Sequence, residues 1–306
     1  MRKTLFSLLV LMGFVLIFFG CGNSKSEIRL GIGSFDITPD GKNIIYTFRK
    51  SARMLVYKAN IDGSNREVLV DGGGSMEYYN PRCSEDGKKI VFISSNSKSP
   101  DGPIWICDIN GKGLEQFTDG NSMIIEAIFS LNNDSIYFTQ AEEYENYSPM
   151  VRKAPHKFDI YSINLNDKTI VKKTNEAAYS IYNLSDVDST RWLFNLNGEG
   201  SYFYNKNGSG KKMIVAINDT LRNSKMYFNP LMIDRNTIIT SSSYDLVKIN
   251  LATKMEKLLL LMSGSHFSTI RYNKKLGKIF FAKTNDVNTI HSVNLDGTGM
   301  LDIIIQ

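Results

Sequence analysis

The sequence predicts an all-β protein, a six-bladed β-propeller of four-stranded antiparallel blades, and three observations support this fold class. From Ile28 onward the chain consists of short β-branched and aromatic runs without helical periodicity. Asp-Gly, Asn-Gly and Asn-Asp pairs separate these runs, as the turns of β-hairpins do. One phrase, clearest as "TPDGKNIIYT" from Thr38 and "SEDGKKIVFIS" from Ser84, recurs along the chain.

The recurring phrase has six copies at a nearly constant spacing. Its first apolar strand residue stands at positions 44, 90, 136, 192, 238 and 279, so the intervals are 46, 46, 56, 46 and 41 residues. A strand, a turn and another strand follow each copy, as in "LVYKANIDGSNREVLV" from Leu55. Each repeat therefore supplies four strands. One such sheet cannot bury both of its faces, whereas six sheets arranged radially cover one another.

Ring closure is predicted from the last repeat, which contains all four of its strands between about residues 267 and 305. Many propellers complete their last blade with an N-terminal strand, but this chain does not need one. We therefore expect blade six to close on blade one by side-chain packing, with residues 28–32 optional.

Two cysteines, Cys83 and Cys107, fall in the first and third strands of blade two. Strands two places apart in one sheet are separated by about 9.5 Å, whereas a disulfide needs Cα atoms within about 7 Å. We expect free, buried thiols, and a metal-binding or redox pair is the alternative.

The repeated phrases, together with "IWICDINGKGLEQFTDG" from Ile104, resemble the blade repeats of TolB-type propellers. The resemblance extends from about Ser34 to Ile305 and is weakest in blades four and five, which lack Asp-Gly at the first turn. It implies the six-bladed architecture more specifically than any activity. The family includes a periplasmic component of an envelope complex, non-catalytic domains of serine peptidases, and carbohydrate-active enzymes.

The N-terminus has the pattern of an export signal. Arg2 and Lys3 precede an apolar run at residues 5–19, which is shorter than the roughly 20 residues of a membrane span. The run ends at Gly20-Cys21 and resembles a bacterial lipobox, which implies lipidation of Cys21. We expect a signal peptide at 1–20, a lipidated tether at 21–33 and the propeller at 34–306. An uncleaved anchor or a plain secretory peptide is the alternative.

The net charge and the predicted export of the protein limit the functions that it can have. Loss of the leader reduces the basic residues from 36 to 34 against 31 acidic ones, a net charge of +3. Such a weak balance on an exported protein argues against nucleic-acid binding. The residue after the predicted lipidated cysteine is Gly22 rather than an aspartate, which favours the outer membrane of a didermic bacterium. The sequence does not indicate which leaflet carries the anchor.

Reactive constellations are absent from the sequence pattern. The chain has three histidines, none at metal-ligand spacing, and no Gly-x-Ser-x-Gly elbow. We expect no hydrolase domain, cofactor or metal. Asp119, Asn121 and Glu126 carry oxygen atoms that suit a hard cation, but they match no calcium loop. We interpret them as a polar connection between blades.

The interval of 56 residues reflects about ten extra residues between the second and third strands of blade three. This insertion, "AEEYENYSPMVRKAPHKF" at 141–158, mixes aromatic and charged residues as recognition surfaces do. The candidate partner-binding residues are Glu142, Glu143, Tyr144, Glu145, Tyr147, Arg152 and Lys153. A solvated excursion is the alternative. Tyr78 and Tyr79, in a blade connection, are expected on the same face.

These observations favour a lipid-anchored, non-catalytic protein-interaction module of the cell envelope, with a membrane-apposed protein as partner. A glycan-binding or glycan-cleaving propeller with its site at the channel mouth is the alternative, because dispersed carboxylates on channel loops leave no sequence motif. A small-ligand or ion sensor is a third hypothesis. The sequence does not identify the partner or substrate.

Overall fold

A computed structural model describes residues 31–50, 53–71, 73, 76–95, 101–146, 152–216, 225–262, 264–284 and 286–305. Within these ranges the chain forms 24 β-strands and no helix. Among the described residues there is no helix with the length and apolar character of a membrane-spanning segment. The predicted signal peptide and most of the predicted tether, residues 1–30, lie outside the described residues.

The strands follow the predicted repeats. Those of blades one to three are β1 (Gly31–Ile37), β2 (Asn43–Lys50), β3 (Arg53–Asn60), β4 (Glu67–Val70), β5 (Glu77–Cys83), β6 (Lys89–Ser95), β7 (Ile104–Asp108), β8 (Glu115–Gln116), β9 (Met123–Phe129), β10 (Ser135–Glu145), β11 (Ala154–Asn164) and β12 (Ile170–Lys172). Those of blades four to six are β13 (Ile181–Asp186), β14 (Arg191–Leu196), β15 (Gly200–Asn205), β16 (Lys211–Met213), β17 (Phe228–Asp234), β18 (Thr237–Ser242), β19 (Asp245–Asn250), β20 (Glu256–Leu261), β21 (Phe267–Asn273), β22 (Lys278–Lys283), β23 (Thr289–Asn294) and β24 (Leu301–Ile304).

The 24 strands form six antiparallel sheets of four strands, each assembled from consecutive strands of one repeat. The predicted all-β, six-bladed architecture is confirmed. Blade six owns β21–β24, as predicted. The first strand begins at Gly31, so Ile32 belongs to blade one rather than to an optional leader.

The repeated phrase makes the turn between the first two strands of a blade. In blade one, the Thr38 hydroxyl donates to Asp40 Oδ1 (2.6 Å) and accepts from the N–H of Asn43 (3.0 Å). Gly41 takes the left-handed conformation, with φ of +70°, that the turn requires. Blade two repeats this arrangement around Ser84. The short polar residues of the phrase therefore fix hairpin geometry.

The second strand of each blade is buried on both faces. Successive side chains of a strand point to opposite faces, and both Ile44 and Ile45 of β2 are fully buried. Phe280 and Phe281 of β22 show the same pattern. Each such side chain contributes about 1.5–3 kcal/mol when removed from water. The core is thus divided among the spaces between neighbouring blades.

Among the described residues, blades one and six close the ring without sharing a strand. Their side chains form one hydrophobic cluster, in which Phe280 of β22 is buried. The side-chain amide of Asn273 donates to the carbonyl of Thr38 (2.9 Å), and the N–H of Ile32 donates to the carbonyl of Val287 (2.8 Å). Closure by packing agrees with the prediction, but Ile32 takes part in it.

The two cysteines are free, as predicted. Cys83 in β5 and Cys107 in β7 both pair with Ile90 of the intervening strand, so one strand separates them. Burial raises the pKa of Cys107 to about 12, which keeps this thiol protonated.

Turns between third and fourth strands lie against the outer strand of the preceding blade. A Cβ atom at Gly63 would lie 2.4 Å from the carbonyl oxygen of Ile304, and one at Gly111 would lie 2.3 Å from that of Leu69. Gly208 occupies the corresponding turn of blade four, where a Cβ atom would meet nothing within 4 Å. The close approach of the Gly63 turn to the Ile304 backbone therefore requires glycine where blade one meets blade six.

We predict that Gly63→Ala lowers the free energy of unfolding by about 2–3 kcal/mol, because the methyl group collides with the Ile304 backbone across the ring closure. Gly208→Ala is the matched control, since its φ of +77° resembles the +87° of Gly63. The free energy of unfolding of this control should fall by only about 1 kcal/mol, which is the cost of placing an alanine in the left-handed conformation. Urea unfolding monitored by circular dichroism measures both values. Equal losses would contradict a role for this contact in closure.

Candidate functional site

The insertion of blade three is an extension of its central hairpin rather than a loop. Strands β10 and β11 continue their pairing through Ala141 and Phe158 to Glu145 and Ala154. The loop interpretation of residues 141–158 was therefore wrong for 141–145 and 154–158. The "blade-three hairpin" denotes residues 141–146 and 152–158; Tyr147 lies outside the described residues.

The hairpin lies on the face where the chain enters the propeller. Gly31 pairs with Arg49 beside the turn between β2 and β3, so β1 begins at the end of the ring that carries the second-to-third strand turns. We call this end the entry face. The blade-three hairpin prolongs the corresponding turn of its own blade and shares the entry face.

Two of the predicted binding residues, Glu142 and Glu143, stabilise the hairpin itself. Glu142 accepts hydrogen bonds from Lys172 Nζ (2.6 Å) and from the Tyr161 hydroxyl (2.9 Å), and the bond from Lys172 lowers its pKa below the ordinary 4.5. Glu143 forms an ion pair with Lys157 and lies 3.1 Å from His156 Nε2. Their carboxylates therefore already have partners within blade three.

The other predicted residues face solvent at the end of the hairpin. Tyr144 is 37% exposed and pairs with Pro155 across the hairpin. Glu145, Arg152 and Lys153 are also exposed. The structure thus brings one aromatic ring and three charged groups together on the hairpin.

Tyr78 and Tyr79 do not belong to this surface, contrary to the sequence interpretation. Tyr78 is buried and packs edge-on against Phe92. The Tyr79 hydroxyl donates a hydrogen bond to the Glu77 carboxylate. Both terminal nitrogens of Arg49 donate to the same carboxylate. Both tyrosines therefore make contacts within the propeller.

A second polar region follows the propeller axis. All six innermost strands, β1, β5, β9, β13, β17 and β21, show a register shift against their neighbours. At three of these shifts asparagines adopt positive φ: Asn80, Asn183 and Asn229. Asn183 Nδ2 donates to Asn229 Oδ1 (2.6 Å), and Asn80 Nδ2 donates to the Ile125 carbonyl (2.8 Å). These amides connect neighbouring blades at the axis.

Four charged side chains form what we call the axial cluster: Asp36, Arg82, Glu126 and Arg271. Asp36 lies between the arginines, with its oxygens 3.5 Å from Arg82 Nε and 3.6 Å from Arg271 Nε. Glu126 Oε1 lies 3.6 Å from Arg82 Nη1. Burial raises the pKa of Glu126, whereas burial and then the charge of Arg82 lower that of Arg271 to about 10. Arg271 therefore stays charged at neutral pH.

A small cavity adjoins the cluster. Its lining residues are Arg82, Asn183, Ser185, Asn229, Pro230, Leu231, Ile270 and Arg271. The volume of about 10 Å³ accommodates one water-sized atom. A sugar ring or an organic cofactor does not fit there in this conformation.

The sequence interpretation missed the axial cluster, although a signal was present. Asp36 and Arg82 stand two residues before the Thr38 and Ser84 that open the repeated phrase, and Arg271 occupies the matching place in blade six. Charges at one position of an otherwise apolar strand repeat indicate a shared polar environment. Glu126 was misassigned to a blade connection, since it lies in the innermost strand β9.

Within the described ranges, no three histidine, cysteine or carboxylate groups are arranged so that they could hold a metal ion. His156 belongs to the hairpin, and His266 stacks on Tyr244. His291 is buried between Asp286 and Asp302, 2.6 Å from each.

We predict that Glu126→Gln gains stability over the wild type as pH rises above about 4.5. A raised carboxyl pKa means that the folded state holds the proton more tightly than the unfolded chain, so wild-type stability falls as pH passes from the unfolded to the folded pKa. Glutamine does not titrate and still accepts from the N–H of Leu184. Glu142→Gln, at a site with lowered pKa, should instead lose stability relative to the wild type as pH rises toward 4.5, and should show no further change above it. Urea unfolding between about pH 3 and pH 8 tests both variants, and the same pH dependence in both would contradict the prediction.

Comparison with sequences gives short matches. No protein-family model matches the chain. Dipeptidyl-peptidase 5 of Porphyromonas endodontalis is 33% identical over 69 residues, which cover 21% of this chain and 10% of that protein. An uncharacterized protein of Agrobacterium fabrum is 27% identical over 90 residues, covering 28% of this chain and 30% of the relative. The chain thus matches a minor part of either relative's length.

Comparison with solved structures extends over most of the chain. TolB from Acinetobacter baumannii aligns with a TM-score of 0.67 at 16% identity, covering 87% of this chain and 64% of that chain. An oligogalacturonate lyase in complex with manganese gives 0.61 at 10% identity, with coverage of 89% and 76%. A chain of a nidogen/laminin complex gives 0.54 at 12% identity, with coverage of 74% and 78%. At these identities the likeness shows the fold alone, and the chain is in fold a TolB-like six-bladed β-propeller.

Proposed function

We propose that this protein is a lipid-anchored, non-catalytic interaction module of the cell envelope that binds a membrane-apposed protein through the blade-three hairpin. The observation that carries the proposal is the exposed group Tyr144, Glu145, Arg152 and Lys153 on a hairpin that projects from the entry face. An aromatic ring flanked by charges suits protein recognition, because the ring supplies buried area and the charges set orientation.

Internal bonding of the hairpin supports this function. Strands β10 and β11 pair in one register out to Glu145 and Ala154, except at Glu142 and Lys157, and Glu142 accepts hydrogen bonds from Lys172 and Tyr161. A surface that is ordered before binding loses less conformational entropy on association. Likeness in fold to TolB and to a chain of a nidogen/laminin complex is consistent with an interaction role.

The proposed anchor would keep the entry face close to a bilayer. In this proposal residues 1–20 are a signal peptide and residues 21–33 form a tether lipidated at Cys21, with the outer membrane as location. Ten residues separate Cys21 from Gly31, where the described chain begins, and they span at most about 36 Å. A partner that meets the hairpin therefore lies at or in the membrane.

The glycan-processing alternative has weaker support. An oligogalacturonate lyase shares the fold, but the axial cavity holds only one water-sized atom. The carboxylates Asp36 and Glu126 at the axis are held by backbone N–H groups and by arginines. This arrangement favours a structural or binding role for them over proton transfer to a sugar.

We predict that a photo-crosslinking amino acid at Tyr144 captures one envelope protein in living cells. The same amino acid at Tyr244, which is 41% exposed on the β18–β19 turn of blade five, is the matched control and should not capture it. The double variant Arg152→Glu, Lys153→Glu should reduce the adduct by about fivefold or more. Thermal unfolding should not change, since exposed substitutions contribute within about 0.5 kcal/mol. Equal capture from both positions would refute a binding role for the hairpin.

We predict that Cys21→Ser moves the protein from the membrane fraction to the soluble fraction or blocks cleavage of the leader, because serine cannot receive the lipid. Fractionation and the mass of the processed chain measure both outcomes. Unchanged fractionation and processing would refute lipid anchoring while leaving the hairpin proposal to its own crosslinking test.

A further inference from the structure

The arginines of the axial cluster have donors that the described protein does not satisfy. Only 17% of the Arg82 side chain and 12% of the Arg271 side chain are exposed. The Nε–H group of each is buried without a hydrogen-bond acceptor among the described residues. Leaving a buried donor of a charged group unsatisfied costs more than a typical hydrogen bond contributes.

The neighbouring carboxylates are held away from these donors by backbone groups. Asp36 Oδ2 accepts the N–H of Cys83 at 2.9 Å, and Glu126 Oε2 accepts that of Leu184 at 3.0 Å. Their distances of 3.5–3.6 Å to the arginine nitrogens fall outside the 2.7–2.9 Å range of a charged hydrogen bond. The fold therefore provides countercharge without direct hydrogen bonds.

The axial cavity lies where a ligand would reach both arginines, since Arg82 and Arg271 line it together. The amides on its wall are occupied by one another and by a neighbouring hydroxyl: Asn183 Nδ2 donates to Asn229 Oδ1 (2.6 Å), and Asn229 Nδ2 donates to Ser241 Oγ (3.1 Å). Apart from the hydroxyl of Ser185, which also lines the cavity, the donors left at this place belong to the two arginines.

Charge distinguishes an anion from a water molecule as the occupant. The two guanidinium groups repel each other, and Asp36 and Glu126 offset this repulsion. Burial raises the pKa of Glu126, which favours the neutral form of that carboxyl. With Glu126 neutral the two arginines face one carboxylate, and an anion supplies both the acceptor and the missing countercharge, whereas a water molecule supplies the acceptor alone.

We propose that the axial cavity is an anion-binding site that takes one negatively charged atom of about the size of water between Arg82 and Arg271. Chloride or a single carboxylate oxygen reaching along the channel has this chemistry. The site is independent of the hairpin and of the lipid anchor. It joins innermost strands of blades two and six, β5 and β21, so its occupant stabilises the ring from within.

The experiment measures the thermal midpoint of the mature protein in a buffer whose only anion is methanesulfonate. Sodium chloride and sodium acetate are titrated separately at constant ionic strength. We expect a saturable rise in the midpoint with at least one of them, because a ligand that binds only the folded state stabilises it. A response to chloride alone identifies a free ion, and one to acetate identifies a carboxylate; a linear, unsaturable change with both would overturn the proposal.

Two variants test the location of the site. Arg271→Met should weaken the fitted affinity by about tenfold or more. Arg191→Met is the control, because Arg191 is only half-buried and pairs with Asp188 on blade four. Equal weakening by both variants would place the effect outside the axis and refute the proposal.

Crystals of the wild type soaked in bromide give a readout that does not depend on how the variants fold. The expected result is an anomalous peak between Arg82 and Arg271. Density for water at that place both in bromide-soaked crystals and in crystals soaked in acetate would overturn the proposal.

Discussion

The middle strands of every blade are buried on both faces, and the rest of the molecule follows from that constraint. A sheet with two apolar faces needs a neighbour on each side, so no blade in this chain can be terminal. Blade six must cover blade one although residues more than 200 positions apart meet there, as in the bond from Asn273 to Thr38. Within the described part of the chain, this closure is made by side-chain packing and by glycine contacts such as that of Gly63 with Ile304.

Ring closure also brings the six innermost strands together at the axis, where their backbone groups are removed from water and need hydrogen-bond partners. At the register shifts, selected residues turn toward the neighbouring blade and supply such partners. Asparagine suits these positions because it tolerates positive φ and carries both a donor and an acceptor. Asn183 and Asn229 use both properties, and Asp36 accepts the N–H of Cys83 from the next blade. The polar axis is therefore a structural requirement before it is a binding site.

The sequence predicted features that are set within a single repeat. It did not predict the axial cluster or the position of Tyr79, which depend on contacts between blades. Repeat spacing gave six blades and the separation of Cys83 from Cys107, because both follow from strand order within one repeat. Tyr79 was misplaced because its partner Glu77 is itself held by Arg49, which belongs to another blade. The axial cluster combines residues from four blades, and its distances depend on the closed ring.

The blade-three hairpin illustrates why composition alone did not separate binding residues from structural ones. The candidates share a polar and aromatic character, but they differ in their position along the hairpin. Glu142 and Glu143 lie at its base and meet basic groups of their own blade, while Tyr144 and Glu145 lie nearer its end and face solvent. Ion pairs at the base therefore engage Glu142 and Glu143, which leaves the outer residues available to solvent. A partner would therefore meet a surface shaped in advance by blade three, which is the physical advantage of presenting a recognition group on an extended hairpin rather than on a loop.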